Sequence, residues 1–308
     1  MQRFTNILYV SHGIHEESDG LRQALSLARN NAAALRVLVV YPSFPSSHQE
    51  YLGVYEDALR QRMQQSITAT QDALNLPHQA LPIDVTGGHA LAALITRDVV
   101  THRHDLLIKQ AEPRPDGAGL QALDMELLRQ CPAPVWLSRT IARSRQQMQV
   151  AVAIDPEAES AAERTMSLEL LRLARSLADS CSGRLQVIAC WDYPYETFLQ
   201  SSPWSKVSDA ELVGIVRDVE QRNRLALDTL VQEAGIAGDN VMVHLRGEPS
   251  VLIPRQVEQL QVDVLVMGTL ARAGIAGYLI GNTAENVVQA VPCSLLTLKP
   301  AGFSPSVR

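Results

Sequence analysis

The stretch that decides the fold is VDVLVMGTLARAGIAGYLIGNTAENVVQAVPCSLLTLKP, residues Val262 to Pro300. An unbroken apolar run ends at Gly268, and a glycine-scattered loop follows. Gly-Asn-Thr-Ala-Glu then opens a segment with apolar residues at helical spacing, and a second apolar run closes the stretch. Continuous rather than alternating apolar runs are expected of strands covered on both faces. Strand, loop, helix, strand is the unit of a parallel sheet with helices on its faces.

Working outward, the same pattern is written twice. NILYVSHG (Asn6 to Gly13) pairs with QVAVAIDP (Gln149 to Pro156), and HDLLIK (His104 to Lys109) pairs with VDVLVMG (Val262 to Gly268). QCPAPVWLSR (Gln130 to Arg139) pairs with AVPCSLLTLKP (Ala290 to Pro300). Offsets between these partners drift from 143 through 158 to 160 residues, and RVLVV (Arg36 to Val40) sits 150 residues before QVIAC (Gln186 to Cys190), as loop insertions in a duplicated unit would give. Helical spacing predicts helices over Asp19–Asn30, Tyr55–Asn75, Leu91–Thr101 and Leu120–Gln130 in the first copy. In the second copy it predicts Ala161–Ser180, Asp209–Ala234, Val251–Gln259 and Thr283–Val291. A polar, basic join, SRTIARSRQQMQ, places the boundary near residue 145.

The 308 residues are 46% hydrophobic and 19% charged, enough for two cores of ordinary size. A net charge of -6 carries no footprint for nucleic acid or anionic membrane. Four scattered cysteines without a C-x-x-C pair argue against a disulfide framework and for reduced thiols. With no apolar run near the roughly 20 residues of a bilayer span and no signal-like start, the expectation is a soluble, cytoplasmic protein.

These residues resemble the universal stress protein family, most closely its tandem, E-type members. The carriers are VAVAID, DVLVMGT, LIGNTAENVV and VPCSLLTLKP, with weaker counterparts in NILYVS, HDLLIK and LLRQCPAPVWL. The resemblance implies an α/β fold of two tandem Rossmann-like domains, 1–144 and 145–308. Each would be a five-stranded parallel sheet flanked by helices, and the two would pair as an intramolecular pseudo-dimer. Pairing through APVWLS and CSLLTL would also cover two apolar edges.

Nucleotide-binding relatives carry Gly-x-x-Gly, nine residues, then Gly-Ser/Thr. Gly268 and Gly281 fit that frame, whereas Ala271 stands at the second glycine and Asn282 at the Ser/Thr, followed by Thr283. If position 271 needs a positive φ, alanine there costs roughly 1–2 kcal/mol, too little to abolish weak binding. Asn282 with Glu285 reads as a capping-box-like helix start whose N–H groups can receive an anion, with Arg272 close in sequence to reach a polyphosphate. The plainer reading is a connecting loop whose glycines only turn the chain. By resemblance Asp155 would sit near an adenosine, the main chain of Cys190 would meet the base, and Gly247 would line the pocket. All three lie at strand ends, where open α/β sheets bind ligands.

The first copy departs from this frame. His12 replaces the strand-end aspartate, Gly117 and Gly119 miss the spacing, Pro113 and Pro115 stiffen the loop, and Glu112 and Asp116 would repel phosphate. No nucleotide is expected there. No nucleophile elbow, P-loop or zinc-protease motif occurs, so no catalytic residue is assigned. His102 and His104 with Asp105 suggest a metal cluster, but a solvated turn is the favoured reading and no metal site is assigned. Two aromatic insertions, VYPSFPSSHQEYLGVYED and residues 191–209, would line an interdomain cleft open to an apolar ligand or protein, or anchor their own loops, which is favoured.

The leading expectation is a stress-response sensor or scaffold that binds ATP or a related adenine nucleotide, with Mg, through its second domain. The alternatives are a scaffold whose nucleotide site is lost, with another small or apolar ligand in the cleft, and a weak ATPase. The partners would be a nucleotide or small molecule and proteins not identifiable from sequence. Neither nucleic acid nor membrane is expected, and further dimerisation of the pseudo-dimer is left open.

Overall fold

The computed structural model describes residues 4–13, 18–112, 119–157, 160–201, 207–236, 240–269, 280–300 and 303. Two compact units emerge, Met1–Arg143 with Thr269–Arg308, and Ser144–Gly268. The second break falls inside the stretch quoted at the outset, just after Gly268.

The first unit contains β1 (Asn6–Ser11), α1 (Ser18–Asn31), β2 (Ala34–Pro42), α2 (Leu52–Ala73), β3 (Ile83–Gly88), α3 (Leu91–His102), β4 (Leu106–Gln110), α4 (Ala122–Gln130) and β5 (Val135–Ser138). Its strands run in the order β3-β2-β1-β4-β5, all parallel. Central strands are buried on both faces: Ile7, Leu8, Tyr9, Val10, Leu106, Leu107 and Ile108 are fully covered. Right-handed crossovers with strand order reversing between β1 and β4 put the first two helices on one face and the next two on the other. Accordingly α1 packs with α2, and α3 with α4.

The second unit contains β6 (Gln149–Ile154), α5 (Ala161–Ser180), β7 (Arg184–Trp191), the short α6 (Glu196–Ser201), α7 (Asp209–Glu233), β8 (Asn240–Arg246), α8 (Pro249–Gln259) and β9 (Val264–Gly268). Its strands run β9-β6-β7-β8, again parallel. Reciprocal capping boxes start its two long helices: Ser160 with Glu163 on α5, and Ser208 with Glu211 on α7.

Small details repeat between the copies. In each, an aspartate before the fourth strand clasps the start of the first. Asp105 accepts from the Thr5 and Asn6 N–H groups at 2.7 and 2.9 Å, and Asp263 accepts from Gln149 N–H at 2.8 Å. Five helices stop on a non-glycine residue in the left-handed region: Ala32, Asn75, Arg103, Ser182 and Gln261, with φ between 49° and 55°. The next N–H then reaches back to the last turn, as His104 N to Val99 O and Val262 N to Val257 O, both 2.9 Å.

The last two elements, α9 (Asn282–Ala290) and β10 (Ser294–Leu298), belong to the first unit. β10 runs antiparallel beside β5, Leu295 opposite Leu137, Leu296 opposite Trp136 and Thr297 opposite Val135. The last strands of the two copies therefore pair. Around the pairing, Arg139 N–H donates to Ser294 Oγ at 2.9 Å and Leu120 N–H to Gln289 Oε1 at 2.9 Å. Arg129 pairs with Glu285 at 2.5 Å. Among the described residues no helix is long and apolar enough to cross a membrane.

Leu295 and Leu137 are 0% and 1% exposed. Leu295→Ala is expected to cost about 2–5 kcal/mol, through lost burial and a residual cavity. A urea titration followed by circular dichroism checks it as a lowered midpoint at unchanged slope.

Candidate functional site

In both units the strand order reverses beside the first strand of the copy, and the carboxyl ends there form the expected ligand position. The second unit places four of the residues singled out in sequence at such ends. Asp155 follows β6, with Oδ1 accepting Glu157 N–H at 3.1 Å and its carbonyl accepting from Ser167 Oγ at 3.4 Å. Cys190 is the penultimate residue of β7, and burial pushes its thiol up to about 11. Burial thus favours the neutral thiol over the thiolate. Gly247 follows β8 at φ +129°, where side-chain-bearing residues are strained, and its N–H donates to Trp191 O at 2.8 Å. Gly268 ends β9, and a Cβ there would stand 1.9 Å from the Met166 methyl of α5. Met166 thus lies in the space that the missing side chain leaves.

Gly281, Asn282 and Thr283 start α9 in the first unit. Gly281 rather than Asn282 is the N-cap, and no side chain caps the helix. Asn282 is already helical, which corrects the capping-box expectation, and Glu285 turns to Arg129 instead. Ala271 and Arg272, like Gly274 and Gly277, lie outside the described residues.

The aromatic insertions hold to their own copies. Trp191 is buried, stacked on His244 at 6.0 Å with Arg246 above its ring at 5.4 Å, and Arg246 pairs with Glu196. Burial, then the charge of Arg224, pulls the His244 imidazole down from its ordinary value. In the first copy Tyr41 and Phe44 both contact Tyr55 at 5.3 Å, and Tyr41 donates to Glu56 at 2.5 Å. Burial and that bond push the Tyr41 hydroxyl up to about 12. Tyr195 and Phe198 remain exposed, and Trp204 lies outside the described residues.

At the corresponding ends of the first unit the chain fills its own site. His12, after β1, donates from Nδ1 to Val40 O at 3.3 Å and meets Glu112 at 2.8 Å through Nε2. Lys109, 2% exposed in β4, contacts Glu112 at 2.5 Å and Asp124 of α4 at 3.0 Å, and donates to Gln110 O at 3.1 Å. Asp124 also accepts from Glu112 N–H at 3.0 Å. Gln110, matching Gly268 in the repeat, uses its side chain to accept from Gly20 N–H of α1 at 3.0 Å. Burial would lower the Lys109 ammonium, but Asp124 and Glu112 outweigh it and hold the pKa above the ordinary value. Burial would likewise raise Glu112, but the His12 bond and the Lys109 charge bring it to about 2. Reading the sequence for glycine frames missed this network. Its one visible signal was a lysine inside an apolar strand, a group that must find counter-charges once buried.

The third histidine group also differs from expectation. Asp105 is committed to its backbone clasp, and Asp98 of α3 takes its place beside His102 and His104. His104 is buried, not solvated.

The sequence profile of the Universal stress protein family matches residues 148–299. The chain belongs to the universal stress protein family. Along its full length it is 24% identical to Universal stress protein E of Photorhabdus laumondii, covering 100% of this chain and 99% of that one. It is 25% identical to Universal stress protein E of Escherichia coli, covering 100% and 98%. A crystal structure from Pseudomonas aeruginosa, assigned to the universal stress proteins, superposes with a TM-score of 0.69 at 25% identity. That match covers 97% of this chain and 95% of that one. The chain is thus a tandem, E-type family member.

Lys109→Met would leave the fully buried Asp124 without its cation, at an expected cost of about 3–5 kcal/mol at neutral pH. Burial already holds the Asp124 carboxyl above its ordinary value, and without Lys109 it rises further, so that loss is full at high pH and shrinks as pH falls through it. Urea titrations of wild type and variant at neutral and mildly acidic pH check the sign.

Proposed function

We propose that this stress-response family member is a cytoplasmic nucleotide-responsive sensor or scaffold. It binds an ATP-type adenine nucleotide, with Mg, through its second copy, residues 145–308, and not through the first, residues 1–144. The observation that carries the reading is the contrast at the carboxyl strand ends. The second unit presents Asp155, the Cys190 main chain and two glycines, Gly247 and Gly268, while the first fills the same ends with His12, Lys109, Gln110 and Glu112. In the proposed site Asp155 accepts from the ribose, and the Cys190 and Gly247 main chain borders the base. The phosphates are assigned to the glycine-spaced segment that follows Gly268 in sequence, with Ala271, Arg272, Gly281, Asn282 and Thr283. No residue is assigned to catalysis, so turnover is at most slow.

One observation favours a second reading, a scaffold whose nucleotide site is lost: Met166 occupies the space at Gly268. Titration calorimetry with Mg-ATP separates the two. If the site is live, wild type gives a saturable isotherm by millimolar ligand, Asp155→Ala weakens it about tenfold, near 1.4 kcal/mol, and Gly281→Asp abolishes it. Absence of heat, together with an unshifted melting temperature at millimolar Mg-ATP, overturns the proposal. If Met166→Ala then restores binding, the methionine is the cause.

A further inference from the structure

The amino-terminal end of the first unit's sheet, opposite the ends discussed above, carries a group of side chains that no role yet explains. Asp98 and His102 are one turn apart on α3, and the helix stops in the left-handed region at Arg103. That stop turns His104 back toward the same carboxylate. His102 Nδ1 lies 3.3 Å from Asp98 Oδ2, and His104 Nε2 lies 3.5 Å from Asp98 Oδ1. One ligand atom from each residue falls within 4.8 Å of the other two. The His104 side chain is 1% exposed, yet neither of its ring nitrogens has a hydrogen-bond partner, and Asp98 Oδ1 has none either. Leaving a buried imidazole nitrogen and a buried carboxylate oxygen unsatisfied is destabilising, and an absent bound species is one explanation for such atoms.

We propose that Asp98, His102 and His104 form a binding site for a divalent transition-metal ion of the Zn²⁺ class. Two imidazoles and a carboxylate make a nitrogen–oxygen donor set suited to Zn²⁺, with a fourth position left to water. Around a tetrahedral ion, donors at about 2.0–2.1 Å lie roughly 3.3 Å apart, so small side-chain rotations close the present group. His102, 37% exposed, gives the site access to solvent. Arg36, a nearby positive charge, is already paired with Asp84 at 2.7 Å. A bound ion would tie the end of α3 to the start of β4. Stability of this copy would then depend on metal supply, which is a fitting input for a stress-response protein.

The test uses the full chain, stripped of metal by chelator and titrated with Co²⁺ and then Zn²⁺. The expected result is one equivalent of Co²⁺ showing visible d–d bands of low coordination number, displaced by Zn²⁺, and a melting temperature raised by either ion. Asp98→Asn and His102→Ala are each expected to weaken uptake at least about tenfold, since even outer-shell changes reach that size. The partly exposed His102 makes the second variant the one least exposed to folding failure, and its metal-free melting curve checks that. His12→Ala and His78→Ala should leave uptake unchanged. Absence of uptake at micromolar ion, wild-type uptake by both Asp98→Asn and His102→Ala, or loss only with His12→Ala would each overturn the assignment.

Discussion

An open sheet edge made of fully apolar strand is the constraint on which the rest of the structure depends. Val135, Trp136 and Leu137 of β5 are 0–2% exposed, so both faces of the strand are committed to the core. Its outer edge would otherwise present unpaired main-chain groups beside apolar side chains, a template for association. The chain closes that edge with its own β10, whose five residues are all buried. Closing it brings more than a strand. α9 comes with β10 and contributes Glu285 to Arg129 and Gln289 to the Leu120 N–H, while Lys299 reaches the Cys131 carbonyl. Burial lowers the Lys299 ammonium to about 8, so this bond is kept at some electrostatic cost for its geometry. The residues from 280 to 300 are therefore built into the same unit as the first copy, although they continue the sequence of the second.

Much of this was legible in the sequence, for a physical reason. Strands covered on both faces read as unbroken apolar runs, and all eight long helices predicted by spacing occur with ends shifted by a few residues. The aspartate shared by HDLLIK and VDVLVMG marks a clasp that each copy forms, which is why those segments align. What escaped depends on partners far apart in the chain. Asn282 looked like a cap because Glu285 stands three residues on, but Glu285 has a better partner in Arg129, and Gly281 takes the cap instead. His102, His104 and Asp105 looked like a surface turn because adjacency in sequence was mistaken for adjacency in space. The carboxylate that meets the histidines is Asp98, one helical turn back, while Asp105 is spent on the start of β1. Lys109 was read as a strand end rather than as a buried charge, since its counter-ions come from a loop and from α4.

The two copies share a frame and differ at the point where it would hold a ligand. Gln110 and Gly268 occupy matching strand ends. The first uses its side-chain oxygen to satisfy an N–H near the start of α1, a donor of the kind that would otherwise face an anion. The second has no side chain, and its place is filled by a flexible methionine tip. A glutamine locked by a hydrogen bond and a methionine held by dispersion are not equivalent obstacles. Met is unbranched and adaptable, so moving it aside requires little more than a rotamer change, whereas displacing Gln110 strands a helix N–H.

The ionic cluster in the first copy sharpens that difference. Replacing a buried ion pair with apolar residues of similar volume is often neutral or stabilising, so stability alone is weak grounds for keeping Lys109, Glu112 and Asp124 inside. Their charges do have a consequence for ligands. One ammonium, Lys109, faces two carboxylates, Glu112 and Asp124, and His12 meets Glu112, at the strand ends where a phosphate would have to enter. In the first copy the strand ends are filled by its own side chains, with Lys109 held between Glu112 and Asp124. In the second, the matching place is taken by the tip of Met166, an unbranched group that can swing away.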